Sequence, residues 1–190
     1  MVDSVLCNSL NSSVVVTDGR VAHPKNWIAV LVKMNAEKKV SARLNAMGLE
    51  NYVPVQREIR RWSDRNKVID RVVIPMVVFV KVDLCDESLL RTCSFIHKIL
   101  SYPGQKKPAV IPEEQIENLK IMLSQSDSPV EMKDAIMVPG DWIKIVRGPL
   151  KGMEGELYMV DGDKSCVAMR IECLGYACVH VSMDDIIKQQ

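Results

Sequence analysis

The apolar pattern of this 190-residue chain changes near residue 124, and that change constrains the fold more than any other feature. Before it, apolar runs of strand length alternate with stretches of helical periodicity. After it, short alternating strands are separated by Gly, Pro and Asp turns. Residues 124–129 are small and polar, which is typical of a linker. The sequence thus predicts two units over 25–123 and 138–190, joined by a linker over 124–137 and preceded by a loosely ordered extension over 1–24.

The first unit has the pattern of an α+β domain. An apolar strand over 26–32 is followed by Val40 and Leu44 at helical spacing, with Asn35 as the expected helix N-cap. A basic hairpin, further strands and a helix opened by Pro112 come next. The second unit has no helical period before its last residues, so it predicts a small β-barrel.

Charge separates the two halves in the same way. The whole chain carries a formal charge of only +1, yet residues 25–82 hold 12 Lys and Arg against five Asp and Glu, a net +7. Residues 83–190 carry a net −5, and the barrel segment 138–190 carries −2. A basic first half joined to an acidic second half predicts two modules with different partners.

The chain shows no recognisable catalytic motif. Its three histidines are scattered, and it has no Gly-rich phosphate loop, GxSxG or HExxH. The six cysteines lack a CxxC pair, which favours free thiols over a zinc site. No apolar run approaches the roughly 20 residues of a membrane span, and the first ten residues carry no Lys or Arg. We therefore expect a cytoplasmic binding protein with no enzymatic activity, no cofactor, no metal and no membrane partner.

The most specific motif lies in the second unit. Residues 138–157 contain a strand, an Arg-Gly-Pro turn, Lys-Gly-x-x-Gly and a second strand, and they resemble a KOW motif. Glycines permit positive φ or close backbone approach in such a tight loop. The pattern also fits a barrel turn with no ligand of its own. The residues of the KOW loop are Arg147, Gly148, Lys151, Gly152 and Gly155.

The first unit resembles the N-terminal domain of the NusG family. The resemblance is carried by Asn-Trp-Ile-Ala-Val at 26–30, Glu-Lys-Lys-Val at 37–40, Tyr-Val-Pro at 52–54 and Pro-Met-Val-Val-Phe-Val at 75–80. Such a domain, a linker and one KOW barrel form the architecture of that family, and the resemblance covers residues 25–190. It implies an antiparallel sheet flanked by helices, followed by an SH3-like KOW β-barrel.

Within the family, the chain is most similar to the specialised UpxY-type antiterminators of capsular polysaccharide operons. This similarity rests on Arg-Arg-Trp-Ser-Asp-Arg at 60–65 and Val-Ile-Pro-Met at 73–76. General NusG factors typically have Pro-Gly-Tyr where this chain has Pro75, Met76 and Val77. The departure removes a tyrosine from the polymerase-facing pocket and leaves that pocket apolar.

The resemblance implies a factor that binds the clamp helices of RNA polymerase and suppresses pausing or termination. The matching positions are Tyr52, Ile74, Val77 and Phe79, for which core packing is the alternative role. In the family, the KOW barrel recruits a second protein, such as a ribosomal protein or the termination factor Rho.

Two basic surfaces are candidates for contact with non-template DNA or nascent RNA. The resemblance implies this role for the first helix and its preceding loop, and basic residues around an aromatic in the hairpin suit single-stranded nucleic acid. Solvated helix and hairpin faces are the alternative. The candidates are Lys33, Lys39 and Arg43 in the helix region and Arg60, Arg61, Trp62 and Arg65 in the hairpin.

The predicted function is therefore an operon-specific transcription antiterminator. A general NusG-type elongation factor and a ribosome- or RNA-binding KOW protein are the alternatives.

Overall fold

Three α-helices, one 3₁₀ helix and fifteen strands form in the part of the chain that the computed structural model describes. That part comprises residues 15–17, 20–22, 24–61, 66–133, 141–160 and 164–189. The helices are α1 (Glu37–Ala46), α2 (Leu84–Thr92), α3 (Glu113–Gln125) and the 3₁₀ helix Met183–Asp185. The strands are β1 (Val15–Thr17), β2 (Arg20–Ala22), β3 (Asn26–Val32), β4 (Asn51–Tyr52), β5 (Val55–Arg61), β6 (Asn66–Val72), β7 (Val77–Val82), β8 (Ile96–Ile99), β9 (Val110–Ile111), β10 (Glu131–Lys133), β11 (Trp142–Ile145), β12 (Glu154–Val160), β13 (Lys164–Ile171), β14 (Gly175–His180) and β15 (Ile186–Lys188).

An antiparallel sheet with helices on both faces forms the first unit. Its strand order is β4-β7-β3-β8, and β9 also pairs with β3. One face packs against α1 and α2 through residues such as Val30, Leu44 and Leu90. The other face carries Trp27 and Phe79 and lies in one apolar cluster with α3. Because both faces are covered, β3 and β7 are almost continuously apolar rather than alternating.

A six-stranded antiparallel sheet forms the second unit, here called the β unit. Its strand order is β10-β14-β13-β12-β11-β15. Side chains of alternating residues, such as Val167, Met169 and Ile171 of β13, are buried in its apolar interior. The predicted fold class, an α+β sheet flanked by helices and followed by a KOW-type β unit, is confirmed. Strand β10 lies in the segment that the sequence assigns to the linker, where it extends the edge at β14.

The two units pack against each other through one continuous apolar cluster that includes residues of both. Polar contacts at Glu172, in the turn after β13, connect them as well. Its backbone N–H donates to Gln115 Oε1 of α3 at 2.9 Å, and the Tyr102 hydroxyl donates to its Oε2 at 2.6 Å. The β unit is therefore docked on the first unit and does not hang from a free linker.

The buried side chain of Gln56, in β5, holds the segment that leads from α3 to β10. The Val130 N–H donates to Gln56 Oε1 at 2.8 Å, and Gln56 Nε2 donates to the Ser128 carbonyl at 3.0 Å. Arg71 of β6 donates to the Val130 carbonyl at 2.9 Å. These bonds satisfy a buried stretch of backbone, and they fix the direction in which the chain enters the β unit.

A second buried polar side chain, Glu37, fixes the turn between β6 and β7. Its Oε1 accepts the Met76 N–H at 2.7 Å, and the Met76 carbonyl accepts the Val32 N–H at 2.8 Å. Met76 has a φ of +64°, in the left-handed region that favours glycine. Glycine adopts this conformation at little cost, whereas this chain places a strained methionine there.

The predicted N-cap of α1 is wrong. Asn35 adopts a left-handed conformation with a φ of +61°, and Ala36 occupies the N-cap position without a side-chain bond. The chain needs a tight reversal between β3 and α1, and asparagine tolerates the left-handed conformation of that reversal better than most residues.

We expect Met76→Gly to stabilise the protein by about 0.5 kcal/mol, because it relieves left-handed strain of roughly 1 kcal/mol and costs part of that in chain entropy. Met47→Gly, at the exposed C-cap of α1 with a φ of −85°, is the matched control and should destabilise it. Urea unfolding measures both. Equal destabilisation by the two substitutions would show that the turn is not strained.

Replacing Gln56 with Ala should lower the free energy of unfolding by about 1–3 kcal/mol, because the buried Val130 N–H loses its acceptor. Gln105→Ala removes the same amide from an exposed position and should change stability by less than about 0.5 kcal/mol. If the two variants lower the thermal stability equally, the hydrogen bond between Gln56 and Val130 does not stabilise the protein.

Candidate interaction surfaces

The four residues predicted to bind polymerase lie in one apolar region. Tyr52 pairs with Phe79 across β4 and β7, and their rings stack with centroids 6.2 Å apart. Val77 and Ile74 belong to the same cluster as Phe79, and all three are buried. Tyr52 is half-buried. In this arrangement, Tyr52 alone of the four presents part of its side chain to solvent, and the other three form the layer beneath it.

Helix α3 places a cation over the aromatic side chains of this region. The ammonium group of Lys120 lies 5.6 Å from the ring centroid of Tyr52 and 5.5 Å from that of buried Trp27. Each such cation–π contact contributes about 0.5–1 kcal/mol at an exposed site. Sequence reasoning did not identify Lys120 or Trp27 as part of this surface, because helical spacing does not show which sheet residues a lysine of α3 reaches.

A second lysine, Lys81, also lies near the Trp27 ring, with its ammonium group 5.7 Å from the ring centroid. It forms an ion pair with Glu113 at 2.6 Å. The hydrogen bond from Lys81 lowers the pKa of Glu113, and the same bond raises the pKa of Lys81. The surface around Tyr52 thus combines an aromatic centre with a rim of paired charges, which is the usual composition of a protein-binding patch.

One of the three cations predicted near α1, Arg43, lies over an aromatic residue that sequence reasoning missed. The Arg43 guanidinium lies 5.3 Å from the ring centroid of Phe95. Val32 pairs with Ile96, which places Lys33 beside the same segment. Lys39 lies four residues before Arg43 and shares its side of the helix. Lys33 and Lys39 are exposed and make no ion pair within the described ranges.

The hairpin that the sequence predicts is present as β5 and β6, with Arg57 opposite Asp70. Arg60 and Arg61 lie near its tip in β5. The side chains of Arg60 and Arg61, and all of Trp62 and Arg65, lie outside the described residues.

The strands of the hairpin also expose a pair of apolar side chains. Ile59 and Val68 are opposite each other and are both largely exposed, with Arg57 beside them. An exposed apolar pair flanked by arginine suits contact with a partner more than a purely solvated face does.

The glycines of the KOW loop have the conformations that the sequence suggests. Gly148 and Gly152 have positive φ values of +79° and +97°. Gly155, in β12, lies so close to β13 that a Cβ atom would come within 2.8 Å of the Ala168 carbonyl oxygen. The loop is therefore built for a tight reversal followed by close strand packing.

The two cations of the KOW loop, Arg147 and Lys151, are exposed. Arg147, Gly148 and Leu150 line a cavity of about 150 Å³, and residues 126–128 line the cavity as well. The loop thus faces the segment that leaves α3, and this contact is a consequence of the docking of the two units.

Tyr52 should make stability pH-dependent at alkaline pH. Burial, followed by the nearby charge of Glu117, raises its pKa from 10.0 to about 12. As the pH rises above 10, the unfolded state loses the phenol proton first, so the contribution of neutral Tyr52 to stability is lost between pH 10 and 12. Urea unfolding across this window should show a steeper loss for the wild type than for Tyr52→Phe, with equal slopes below pH 9. Parallel curves throughout would contradict the burial of this phenol.

Within the part of the chain that the structure describes, no three His, Cys, Asp or Glu side chains are placed to hold a metal ion. In the same residues, no helix has the length and apolar character needed to cross a membrane.

Comparison with known proteins identifies the family. The family model described as transcription termination factor nusG matches residues 25–120, which is half of the chain. The transcription termination/antitermination protein NusG of Bacillus subtilis (strain 168) is 26% identical over 167 residues, covering 80% of this chain and 90% of that protein. The corresponding protein of Chlamydia pneumoniae is 24% identical over 158 residues, covering 78% and 86%.

A solved structure described as domain interaction in Thermotoga maritima NusG is similar to this chain, with a TM-score of 0.46 and 19% identity. The alignment covers 87% of this chain and 98% of the Thermotoga maritima chain. Because the family model matches half of its length, the chain belongs to the NusG family, whose named relatives are transcription termination and antitermination proteins.

Proposed function

We propose that this protein is an operon-specific transcription antiterminator that binds RNA polymerase with its first unit. The observation that carries this proposal is the placement of two different surfaces on opposite faces of one sheet. The aromatic surface around Tyr52 lies on the face of α3, whereas Lys39 and Arg43 lie on α1, on the other face, where Phe95 packs against Arg43. A protein with this arrangement can hold a protein on one side and nucleic acid on the other.

The polymerase contact is assigned to the face around Tyr52. A half-buried tyrosine supported by a packed layer loses little conformational entropy on binding, which is a property of interface hot spots. Ile74, Val77 and Phe79 support the ring from below. The clamp helices of polymerase would contact Tyr52 and the charged rim, and buried Val77 would hold the position where general factors have tyrosine.

The nucleic-acid contact is assigned to Lys33, Lys39 and Arg43. Lysines position phosphates as point charges, whereas an arginine held over the Phe95 ring offers a planar guanidinium to an unpaired base. The hairpin residues Arg60, Arg61, Trp62 and Arg65 are proposed to extend this contact, and Arg57 with the exposed Ile59 and Val68 forms the base of the same hairpin.

The specialised role is supported by two departures from the general pattern. The arginine-rich hairpin resembles that of UpxY-type factors, and Met76 replaces the glycine that the left-handed turn favours. A residue kept in a strained conformation suggests that the turn serves a purpose other than stability. By the same resemblance, the target operon is proposed to be one that encodes capsular polysaccharide synthesis.

The β unit is proposed to recruit a second protein through the KOW loop. Its net charge of −2 over residues 138–190 does not favour a broad contact with nucleic acid. A ribosomal protein or Rho is the partner class that the family resemblance suggests.

A general NusG-type elongation factor is the second candidate, favoured by the alignment with the Bacillus subtilis protein over 80% of this chain. Genome-wide polymerase occupancy after deletion of the gene separates the two. A change confined to one operon supports the specialised role, whereas a change across most transcription units supports the general one.

The nucleic-acid assignment predicts a salt-dependent defect. The double variant Lys39→Ala, Arg43→Ala should bind a reconstituted elongation complex about tenfold more weakly at low salt, and the difference should shrink at high salt. The control Lys106→Ala, Lys107→Ala makes the same charge change in an exposed loop and should bind nearly as the wild type does. Equal losses for both pairs would show a non-specific charge effect, and failure of the wild type to bind core polymerase would overturn the proposed function.

A further inference from the structure

Two cysteines lie side by side on the outer face of the β unit. Cys166 of β13 is opposite His180, and Cys178 of β14 is opposite Ala168. Residues opposite each other in an antiparallel pair point to the same face, so the two cysteines are diagonal neighbours on that face. Only 2% of Cys166 and 4% of Cys178 is exposed, and the two form a small cluster with Ala168 that Tyr176 covers.

The Cys178 thiol donates to the Tyr176 carbonyl at 4.0 Å, and the two thiol groups of the cluster affect each other's ionisation. The neighbouring Cys178 thiol lowers the pKa of Cys166 to about 7, and the same pairing, together with burial, raises the pKa of Cys178. The charge of Lys133 acts in the same direction on Cys166. Cys166 is therefore the more readily ionised of the two thiols, and Cys178 is the one that keeps its proton.

A small cavity gives access to this pair. It has a volume of about 10 Å³, close to what one water molecule needs, and both cysteines line it. Glu131, Lys133 and His180 line it too and make its wall polar. Hydrogen peroxide, with two oxygen atoms, is larger than this volume and reaches the sulfur atoms when the wall of the cavity moves, whereas a bulky disulfide reagent does not reach them.

We propose that Cys166 and Cys178 form an oxidisable dithiol that hydrogen peroxide converts to a disulfide. The Cys166 thiolate attacks one peroxide oxygen, so that the O–O bond breaks, an S–O bond forms and hydroxide leaves. The hydroxide takes up the proton that the Cys166 thiol released and becomes water. The Cys178 sulfur then attacks the resulting sulfenic acid; the S–S bond forms, the S–O bond breaks, and the hydroxyl group leaves with the Cys178 proton as a second water. The two sulfur atoms together lose two electrons, which the peroxide gains.

The disulfide would connect two neighbouring strands that already pair. Diagonal positions of a sheet lie farther apart than the roughly 3.8 Å Cβ–Cβ distance of a relaxed disulfide. Closure therefore needs a local shift of β13 against β14, and a strained disulfide of this kind is readily reduced. Since β10 pairs with β14, with Glu131 opposite Cys178, the shift would reach the strand that leads back to the first unit.

The test uses the full-length reduced protein and one equivalent of hydrogen peroxide. Peptide mapping by mass spectrometry should find the peptides of Cys166 and Cys178 joined, with the loss of two hydrogen atoms, before the exposed Cys85 or Cys173 is modified. Dithiothreitol should reverse the link. Earlier oxidation of Cys85 or Cys173, with this pair still reduced, would overturn the proposal.

Single substitutions separate the two roles. Cys178→Ser should leave Cys166 trapped as a sulfenic acid that dimedone labels once the protein is unfolded in urea, and Cys166→Ser should react with peroxide about tenfold more slowly at Cys178. Cys85→Ser is the matched control and should form the disulfide at the rate of the wild type. Equal dimedone labelling of the two single variants would contradict the assignment of Cys166 as the nucleophile. If either variant fails to fold, the peptide map of the wild type decides the proposal.

Discussion

The pairing of β3 with β7 is the interaction on which the rest of the structure depends. These two strands form the centre of the first sheet and are covered on both faces. Because side chains alternate between the faces, the same two strands supply the floor for α1 and α2 on one side and for α3 on the other. This alternation gives the sheet two covered faces, and the two candidate surfaces lie on opposite ones.

Two buried polar side chains then fix the parts that apolar packing leaves undetermined. Glu37 accepts a backbone N–H of the Met76 turn, and Gln56 accepts that of Val130. Apolar contacts are not directional, whereas a buried hydrogen bond is satisfied in one geometry and costs free energy in any other. Glu37 thereby sets the start of β7, and Gln56 sets the entry of the chain into the β unit.

The docked arrangement changes the meaning of the predicted polymerase-binding residues. Ile74, Val77 and Phe79 are core residues in this structure. The partly exposed side chains of this surface are Tyr52, Lys120 over its ring, and Lys81 over the ring of Trp27. Sequence periodicity does not distinguish core residues from partner-binding residues here, because a strand that is buried on both faces has no polar face from which to tell which side is exposed. The sequence predicted that these positions form one apolar region, but it did not predict which of their side chains are exposed.

Several features followed from local physical chemistry and were predictable. Turn residues and charged strands indicated the β5–β6 hairpin, and the glycine spacing indicated the KOW loop with its positive φ values. The N-cap prediction failed at Asn35, where a tight reversal competes with helix capping for the same residue. A local sequence signal therefore predicts local structure reliably only where the residue favours a single conformation.

The sequence by itself determined the α+β first unit, the β-strand second unit and the family resemblance, because these depend on periodicity and on motif spacing along the chain. The tertiary structure alone decided which side chains meet: Arg43 with Phe95, Lys120 with Tyr52, and Cys166 with Cys178. Each of these pairs joins residues of different elements, and their distance depends on strand register and helix placement. Those are set by packing over the whole chain, so no local pattern encodes them.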